Sequence, residues 1–354
     1  VSGEKRYVIT GGAGFIGSNL VRMLLKEPEV SVYIIDALTY AGSMENLADV
    51  AEDPRFEFAD LDIRTGNLYN EIAWFKPTVV FHLAAETHVD RSIDGVMPFV
   101  STNVAGTARM LNAVKDYWSS GSGCSGSCRF IHVSTDEVYG SLGMDDAKFT
   151  ENSPYAPNSP YAATKAASDH LVRAYNKTYG MPTIITHCSN NYGPYQFPEK
   201  LIPLTILNAI EGKPIPVYGN GMNVRDWIHV DDHCEALIRV ATDGTPGEVY
   251  NIGSSQERNT LQVVHSICDA LSWLRENQNG YRRLIGFVTD RPGHDFRYAI
   301  EASKLWRHTG WLPKRDFEKD IRHTVRWYLE HLDWCEKAKA KYNRERLGLG
   351  VGPK

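Results

Sequence analysis

The sequence predicts an α/β protein, a doubly wound parallel Rossmann sheet with a smaller C-terminal α/β substrate domain. Three observations predict it. Apolar strand-like runs alternate with helical patterns through the first half of the chain, which places parallel strands under right-handed crossover helices. A glycine-rich turn, Gly11-Gly12-Ala13-Gly14-Phe15-Ile16-Gly17, joins the first strand to the first helix. Beyond about Asn190 the rhythm gives way to less regular segments rich in loop polars and aromatics. A cofactor domain is therefore expected over 1–190 and a mainly substrate-binding domain over 191–345, with a boundary the chain can cross and a Gly/Pro tail at 346–354.

Tyr7-Val8-Ile9-Thr10 reads as the first strand, and Leu20, Val21, Leu24 and Leu25 follow the glycine turn at helical spacing. Gly12, Gly14 and Gly17 fit G-x-G-x-x-G. The first glycines of the turn, Gly11 included, allow a tight bend and close backbone approach to a pyrophosphate, and Gly17 lets helix and strand pack. The positive end of the helix then faces the phosphates. Val32-Tyr33-Ile34-Ile35 is the second strand and ends in Asp36, about twenty residues after the last glycine, where a carboxylate hydrogen-bonds a ribose 2′-hydroxyl and repels a 2′-phosphate. That favours NAD over NADP; the other reading of Asp36 is a strand-end turn residue.

Phe56-Glu57-Phe58-Ala59 is the third strand, and Asp62 after it stands beside an adenine or in a solvated turn. A helix over about 68–75 precedes the strand Thr78-Val79-Val80-Phe81-His82-Leu83, followed by the small pair Ala84-Ala85 where a cofactor backbone can pass. A long helix over about 99–117 leads to the strand Phe130-Ile131-His132-Val133, and a proline-marked loop leads to a helix over about 161–179. Thr183 to Cys188 is a further strand. Short helices are expected over 201–211, 231–242 and 261–274, and one long helix over 317–341.

Ser134-Thr135-Asp136-Glu137-Val138-Tyr139-Gly140 closes the fifth strand. Ligands bind at the carboxyl ends of such strands. Adjacent carboxyls there can be driven to different protonation states, one donating a proton while the other accepts; the plainer reading is that Asp136 or Glu137 begins a turn. Tyr161 and Lys165 lie four apart on one helix face. A tyrosine near its ordinary pKa is a poor base at neutral pH, and lowering it about three units takes roughly 4 kcal/mol of phenolate stabilisation. A neighbouring ammonium and an oxidised nicotinamide are suitable sources. Tyr161 would then take a hydroxyl proton while hydride leaves the same carbon, with Thr135 holding the oxygen.

The totals exclude several classes. The 354 residues are 42% hydrophobic and 23% charged, as in ordinary globular proteins. A net charge of −5 without a long basic run argues against nucleic acid as a partner. No apolar run approaches the roughly 18 residues of a membrane span. Val1-Ser2-Gly3-Glu4-Lys5-Arg6 leads directly into a strand, so no signal peptide and a cytoplasmic location are expected. Six cysteines in this length do not make a disulfide scaffold. Cys188, Cys234, Cys268 and Cys335 are expected as buried thiols. Cys124 and Cys128, in a Gly/Ser-rich stretch over 119–127, read as an exposed loop and not as a metal site, for only His132 is near.

The glycine loop, Ser134-Thr135, Tyr161 and Lys165 resemble the extended short-chain dehydrogenase/reductase superfamily. Within it, Thr135 to Gly140, Asn190-Asn191-Tyr192-Gly193-Pro194, Arg225-Asp226-Trp227 and Asp290-Arg291-Pro292-Gly293-His294-Asp295 resemble the dTDP-glucose 4,6-dehydratases, over roughly Tyr7 to Trp311. The resemblance implies that C4 of the sugar is oxidised with Tyr161 as base, that Glu137 removes the C5 proton, and that Asp136 protonates the departing C6 hydroxyl. It implies NAD contacts at Phe15, Ile16, Asp36, Leu38, Thr39, Asp62, Ile63, Leu83, Ala84, Ala85, Thr102 and Asn191. It places Thr87, Asn190, Lys200 and Leu201 on the sugar or phosphate, Pro216, Val217 and Tyr218 on the nucleoside, and Arg225, Arg291, His294 and Asn259 about the diphosphate. A homodimer through the 99–117 and 161–179 helices is also implied. Epimerases and decarboxylases of the superfamily need no acid/base pair at C5 and C6; a non-catalytic redox sensor could dispense with Tyr161 and Lys165. The residues do not fix whether the nucleotide is dTDP, UDP or GDP.

Overall fold

The computed structural model describes residues 5–120, 128–290 and 293–340. Most of the expected Gly/Ser/Cys loop, with Cys124, lies outside them, as do Arg291 and the expected tail. The first half runs β1 (Lys5–Thr10), α1 (Phe15–Leu24), β2 (Val30–Asp36), β3 (Phe56–Asp60), α2 (Leu68–Phe75), β4 (Val79–His82), α3 (Val89–Asp94) and α4 (Met97–Phe99), then α5 (Thr107–Ser119), β5 (Arg129–Thr135), α6 (Pro160–Tyr179) and β6 (Thr183–Cys188). The second runs β7 (Asn190–Tyr192), α7 (Leu201–Ile210), β8 (Ile215–Tyr218), β9 (Val224–His229), α8 (Val230–Asp243), β10 (Val249–Ile252), β11 (Glu257–Asn259), α9 (Thr260–Leu274), β12 (Ile285–Val288), β13 (Arg297–Tyr298), α10 (Ser303–Thr309), α11 (Phe317–Glu330) and α12 (Leu332–Lys339).

Seven strands form one sheet in the order β10-β6-β5-β4-β1-β2-β3, and every pair is parallel. Alternation along each strand sends successive residues to opposite faces. Ile9, Ile34, Phe81, Ile131 and Ile184 meet α1 and α8 on one side, while Val8, Ile35, Val80, Phe130 and Ile185 meet α2, α5 and α6 on the other. Both faces are therefore covered, and each such buried aliphatic stabilises the fold by about 1.5–3 kcal/mol over an exposed one. A separate core gathers Ile202, Ile206, Val217, Val263, Ile267, Phe317 and Tyr328 from α7, β8, α9 and α11. The chain does not leave the first sheet for good at Asn190: α8 packs on α1, and β10 pairs with β6 at the sheet edge.

Two helices differ from the sequence reading. The helix expected over 99–117 has a π-helical stretch, Val100–Gly106, between α4 and α5. Its cause is Asn103, turned into the core, where Oδ1 accepts from Glu86 N at 2.9 Å and Nδ2 donates to Glu86 O at 3.0 Å and Thr164 Oγ1 at 2.9 Å. Such wide turns recur at functional sites. The helix expected over 317–341 is broken at His331, whose ring stacks on Trp327 at 4.3 Å. The bend lets Trp334 Nε1 reach Asn46 Oδ1, 2.9 Å away on the cofactor side of the molecule.

Helix α6 follows its sequence closely. Ser159 Oγ accepts from Ala162 N, Pro160 sits in the first turn, and Gly180 ends the helix in the left-handed region at φ 65°. Tyr161, Lys165 and Asp169, one turn apart, are all buried on its sheet-facing side.

Candidate active site

The carboxyl ends of β1, β2, β4, β5 and β6 open into a cavity of about 380 Å³. It lies where the strand order reverses between β1 and β4, the usual ligand position in such sheets. One half is a cradle of small residues. Gly11 has φ +73°, and a Cβ there would stand 2.7 Å from Ala84 N. A Cβ on Gly17 would run into the Gly11 carbonyl and stand 2.7 Å from the Gly12 Cα. In front of Gly14 only the Gly11 oxygen, at 3.3 Å, comes near. No side chain caps α1, so its leading N–H groups suit an anion.

Asp36 closes the cradle, its carboxylate accepting from Ala13 N and Leu38 N, both at 2.9 Å. It thus serves as a turn residue and still lines the cavity. Asp62 also lines it, held by bidentate bonds from Arg64, which keep its carboxyl below the usual range. A dinucleotide fits these residues. Gly17→Ala is expected to destabilise the protein by roughly 1–3 kcal/mol through overpacking and to release bound NAD, read by denaturant unfolding and by the nicotinamide content of the purified protein.

The other half carries the acid and base groups. Thr135, Asp136, Glu137, Tyr161 and Lys165 all line the same cavity. Asp136 and Glu137 begin a 3₁₀ turn over Asp136–Tyr139, with Thr135 Oγ1 accepting from Glu137 N at 3.3 Å. The turn expected there is formed, and both of its carboxyl residues line the cavity. Asp136 is 2% exposed and its Oδ2 has no hydrogen-bond partner. Burial, then the Glu137 carboxylate, then Asp226 push its carboxyl well above the usual range, against the pull of Arg225. These causes favour its protonated form, the form that can donate a proton.

Burial, followed by the Glu137 charge, likewise raises the Tyr161 phenol well above its ordinary value. Lys165 Nζ donates to Val133 O at 2.8 Å. The ammonium expected to lower Tyr161 is thus engaged on the strand, and the phenol stays neutral until further positive charge arrives. Burial raises the thiol of Cys188, another cavity residue, to about 12.

Thr39, Ile63, Leu83, Ala84, Ala85, Thr87, Thr102, Asn190, Asn191, Lys200 and Leu201 join Gly11, Gly14, Phe15, Ile16 and Gly17 around this space. Leu38, Pro216, Val217, Tyr218, Arg225, Asn259 and His294 do not line it. Several of these gather around the 219–224 turn instead. Leu261 N donates to Gly221 O, Asn259 caps α9 with Nδ2 on Met222 Sδ, Asn223 Nδ2 donates to Asp295 O, and His294 pairs with Asp290 at 2.6 Å. Arg225 is buried over the Tyr298 ring and donates to the carbonyls of Val224, Asp295 and Phe296. Its charge acts on Asp136, so it stands behind the acid.

Sequence reasoning missed Glu199, whose carboxylate, 1% exposed, faces His88 at 3.4 Å and Arg91 at 3.5 Å beside the cavity. It also missed Glu86, Trp227 and the buried Asp169. Glu199 adjoins Lys200, the one signal that could have drawn attention to it.

A dinucleotide cradle meeting a buried acid, a second carboxylate and a Tyr/Lys pair defines a nucleotide-dependent enzyme of the extended short-chain dehydrogenase/reductase class. The chain belongs to the family described as GDP-mannose 4,6 dehydratase, whose model matches residues 8–324. It is 51% identical, over 98% of its length and 99% of the other's, to a dTDP-glucose 4,6-dehydratase of Neisseria meningitidis. It also resembles the crystal structure of a Streptomyces venezuelae dTDP-glucose 4,6-dehydratase with NAD and dTDP bound, at TM-score 0.86 and 46% identity, covering 94% of this chain and 100% of that one. A Thermus thermophilus UDP-glucose 4-epimerase in complex with NAD is more distant, at TM-score 0.81 and 28% identity over 92% and 99% of the two chains.

Proposed function

We propose that the chain is an NAD-dependent dTDP-glucose 4,6-dehydratase that forms dTDP-4-keto-6-deoxyglucose. The observation that carries this is the placement of the buried Asp136, its carboxyl raised, next to Glu137 in the cavity that also holds Tyr161. Bound NAD supplies the acceptor for the C4 hydride and returns that hydride to C6. The chain's own groups move the protons. Thr135 holds the C4 oxygen and Tyr161 takes its proton; the ketone acidifies C5–H, which Glu137 removes; Asp136 protonates the C6 hydroxyl as it leaves; Glu137 then returns a proton to C5.

The sugar sits against Thr87, Thr135, Asn190, Lys200 and Leu201, and the nucleoside diphosphate extends toward Pro216, Val217, Tyr218, Arg225, Asn259 and His294. The protein acts as a cytoplasmic homodimer joined by the Met97–Ser119 helical run and α6. Among the described residues no helix is long and apolar enough to cross a membrane. The test is a product assay on dTDP-glucose with no NAD added, run beside UDP-glucose and GDP-mannose. The 4-keto-6-deoxy product is expected from dTDP-glucose at the highest kcat/KM. Faster turnover of GDP-mannose would move the substrate to the guanine nucleotide, and epimerised product would remove the dehydratase reading.

A further inference from the structure

Beneath the cavity floor lies a buried polar cluster with no part in the proton steps above. Its centre is Asp169, on the same face of α6 as Tyr161 and Lys165 and one turn beyond the lysine, a spacing that places neighbouring Cβ atoms about 5–6 Å apart. Asp169 is 1% exposed. Its Oδ2 accepts from Ser134 Oγ and from His187 Nε2, each at 3.0 Å, while Oδ1 stands 3.3 Å from His132 Nε2. Although burial opposes its ionisation, the two imidazoles hold its carboxyl far below the usual range. A carboxylate so deep in a fold, bonded but carrying a full charge, needs a compensating cation.

His132 is not built to be that cation. His132 Nδ1 is buried without a partner, so an N–H there would have no acceptor, and burial lowers the ring to about 4. His187 Nδ1 stands 2.7 Å from the Tyr139 hydroxyl, which itself donates to Asn251 Oδ1 at 2.9 Å and so accepts from the ring. His187 Nε2 lies between Asp169 Oδ2 and the Tyr155 hydroxyl, which is 2.9 Å away. Lys165, buried one turn back on the same face of α6, is the lysine whose charge this carboxylate supports.

We propose that Asp169 is a positioning residue of the hydride-transfer site: its carboxylate keeps the buried Lys165 an ammonium, and its bond to Ser134 ties the strand that delivers Thr135 to the helix that delivers Tyr161. Two links then join the end of β5 to α6, Lys165 Nζ to Val133 O and Ser134 Oγ to Asp169. The groups facing Lys165 are Tyr161 and Asp169 on its own helix, His82 on β4, His132 on β5, Cys188 on β6, and Asp136 and Glu137 on the turn after β5. The histidines are repelling or neutral, and Asp136 and the Cys188 thiol are held neutral by burial. Burial lowers Lys165, and Asp169 leads the groups opposing that.

The inference deepens the dehydratase reading, but its test does not require turnover. In full-length holoenzyme carrying ¹³Cε-lysine, the Lys165 resonance is assigned by its loss in Lys165→Met and followed through pH by NMR. Asp169→Asn is expected to lower its titration midpoint by about one unit or more, while Asp169→Glu stays near the unaltered protein. If Asp169→Asn does not fold, Asp169→Ser makes the same neutralisation with a smaller side chain. With dTDP-glucose, the alkaline limb of the pH profile for NAD reduction should fall by the same amount. An unchanged midpoint would overturn the proposal and leave Asp169 a purely structural residue. So would a Lys165 already neutral at pH 7 in the unaltered protein, which needs no variant. Failure of every nucleotide-sugar to turn over, with the midpoint shifted, would sink the dehydratase reading alone.

Discussion

Glu137→Gln should reduce bound NAD when mixed with dTDP-glucose and then stall, with product formation lowered by about 10²–10⁴-fold, the usual contribution of a positioned base. The amide has the shape of the carboxylate but cannot take the C5 proton. Oxidation at C4 needs Tyr161 and Thr135, both untouched. Glu137's charge is one cause of the raised carboxyl of Asp136, so its removal relaxes the acid; burial, the larger cause, still favours the protonated form. The loss therefore reports C5 deprotonation and not a missing acid. Single-turnover absorbance of the reduced nicotinamide, followed beside the alkaline absorbance of the keto product, separates the two half-reactions. Product at a normal rate would show that the C5 base lies elsewhere, with Glu199, a further buried carboxylate lining the cavity, the first place to look.

What could be read from the sequence follows from how local each feature is. The glycine turn, Asp36 after the second strand, and Tyr161 with Lys165 on one helix face are set by spacings of a few residues within one element. All appear where the spacing puts them. The return of β10 to the first sheet was not legible in its pattern, because a four-residue strand, Val249–Ile252, carries no mark of the strand it will pair with. The π-helical turn depends on Asn103 finding Glu86 and Thr164, contacts 17 and 61 residues distant in the chain. The break at His331 depends in the same way on Trp334 reaching Asn46. The polar cluster around Asp169 joins two strands and a helix, so each member alone reads as an ordinary helix or strand residue.

The same limit applies to charge. From sequence, Lys165 belongs beside Tyr161 as the cation that lowers its pKa; in the fold its ammonium is bonded to Val133 O, and the phenol is raised. That difference gives Tyr161→Phe a definite signature. The ring is 7% exposed and meets Phe99 edge-on at 6.4 Å, so phenylalanine fills the same space and the thermal midpoint should move by no more than a few degrees. Hydride transfer from C4 should fall by about 10²–10⁴-fold, since nothing else takes the hydroxyl proton as the ketone forms. No reduced nicotinamide should then accumulate on mixing with dTDP-glucose, the reverse of Glu137→Gln, and the double variant should behave as Tyr161→Phe alone because the oxidation comes first. Nicotinamide reduction within tenfold of the unaltered enzyme would mean that another group, such as Glu137 acting through Thr135, accepts the C4 proton. The raised phenol would then be the reason, for a tyrosine so buried is too weakly ionised to compete with a carboxylate for that proton.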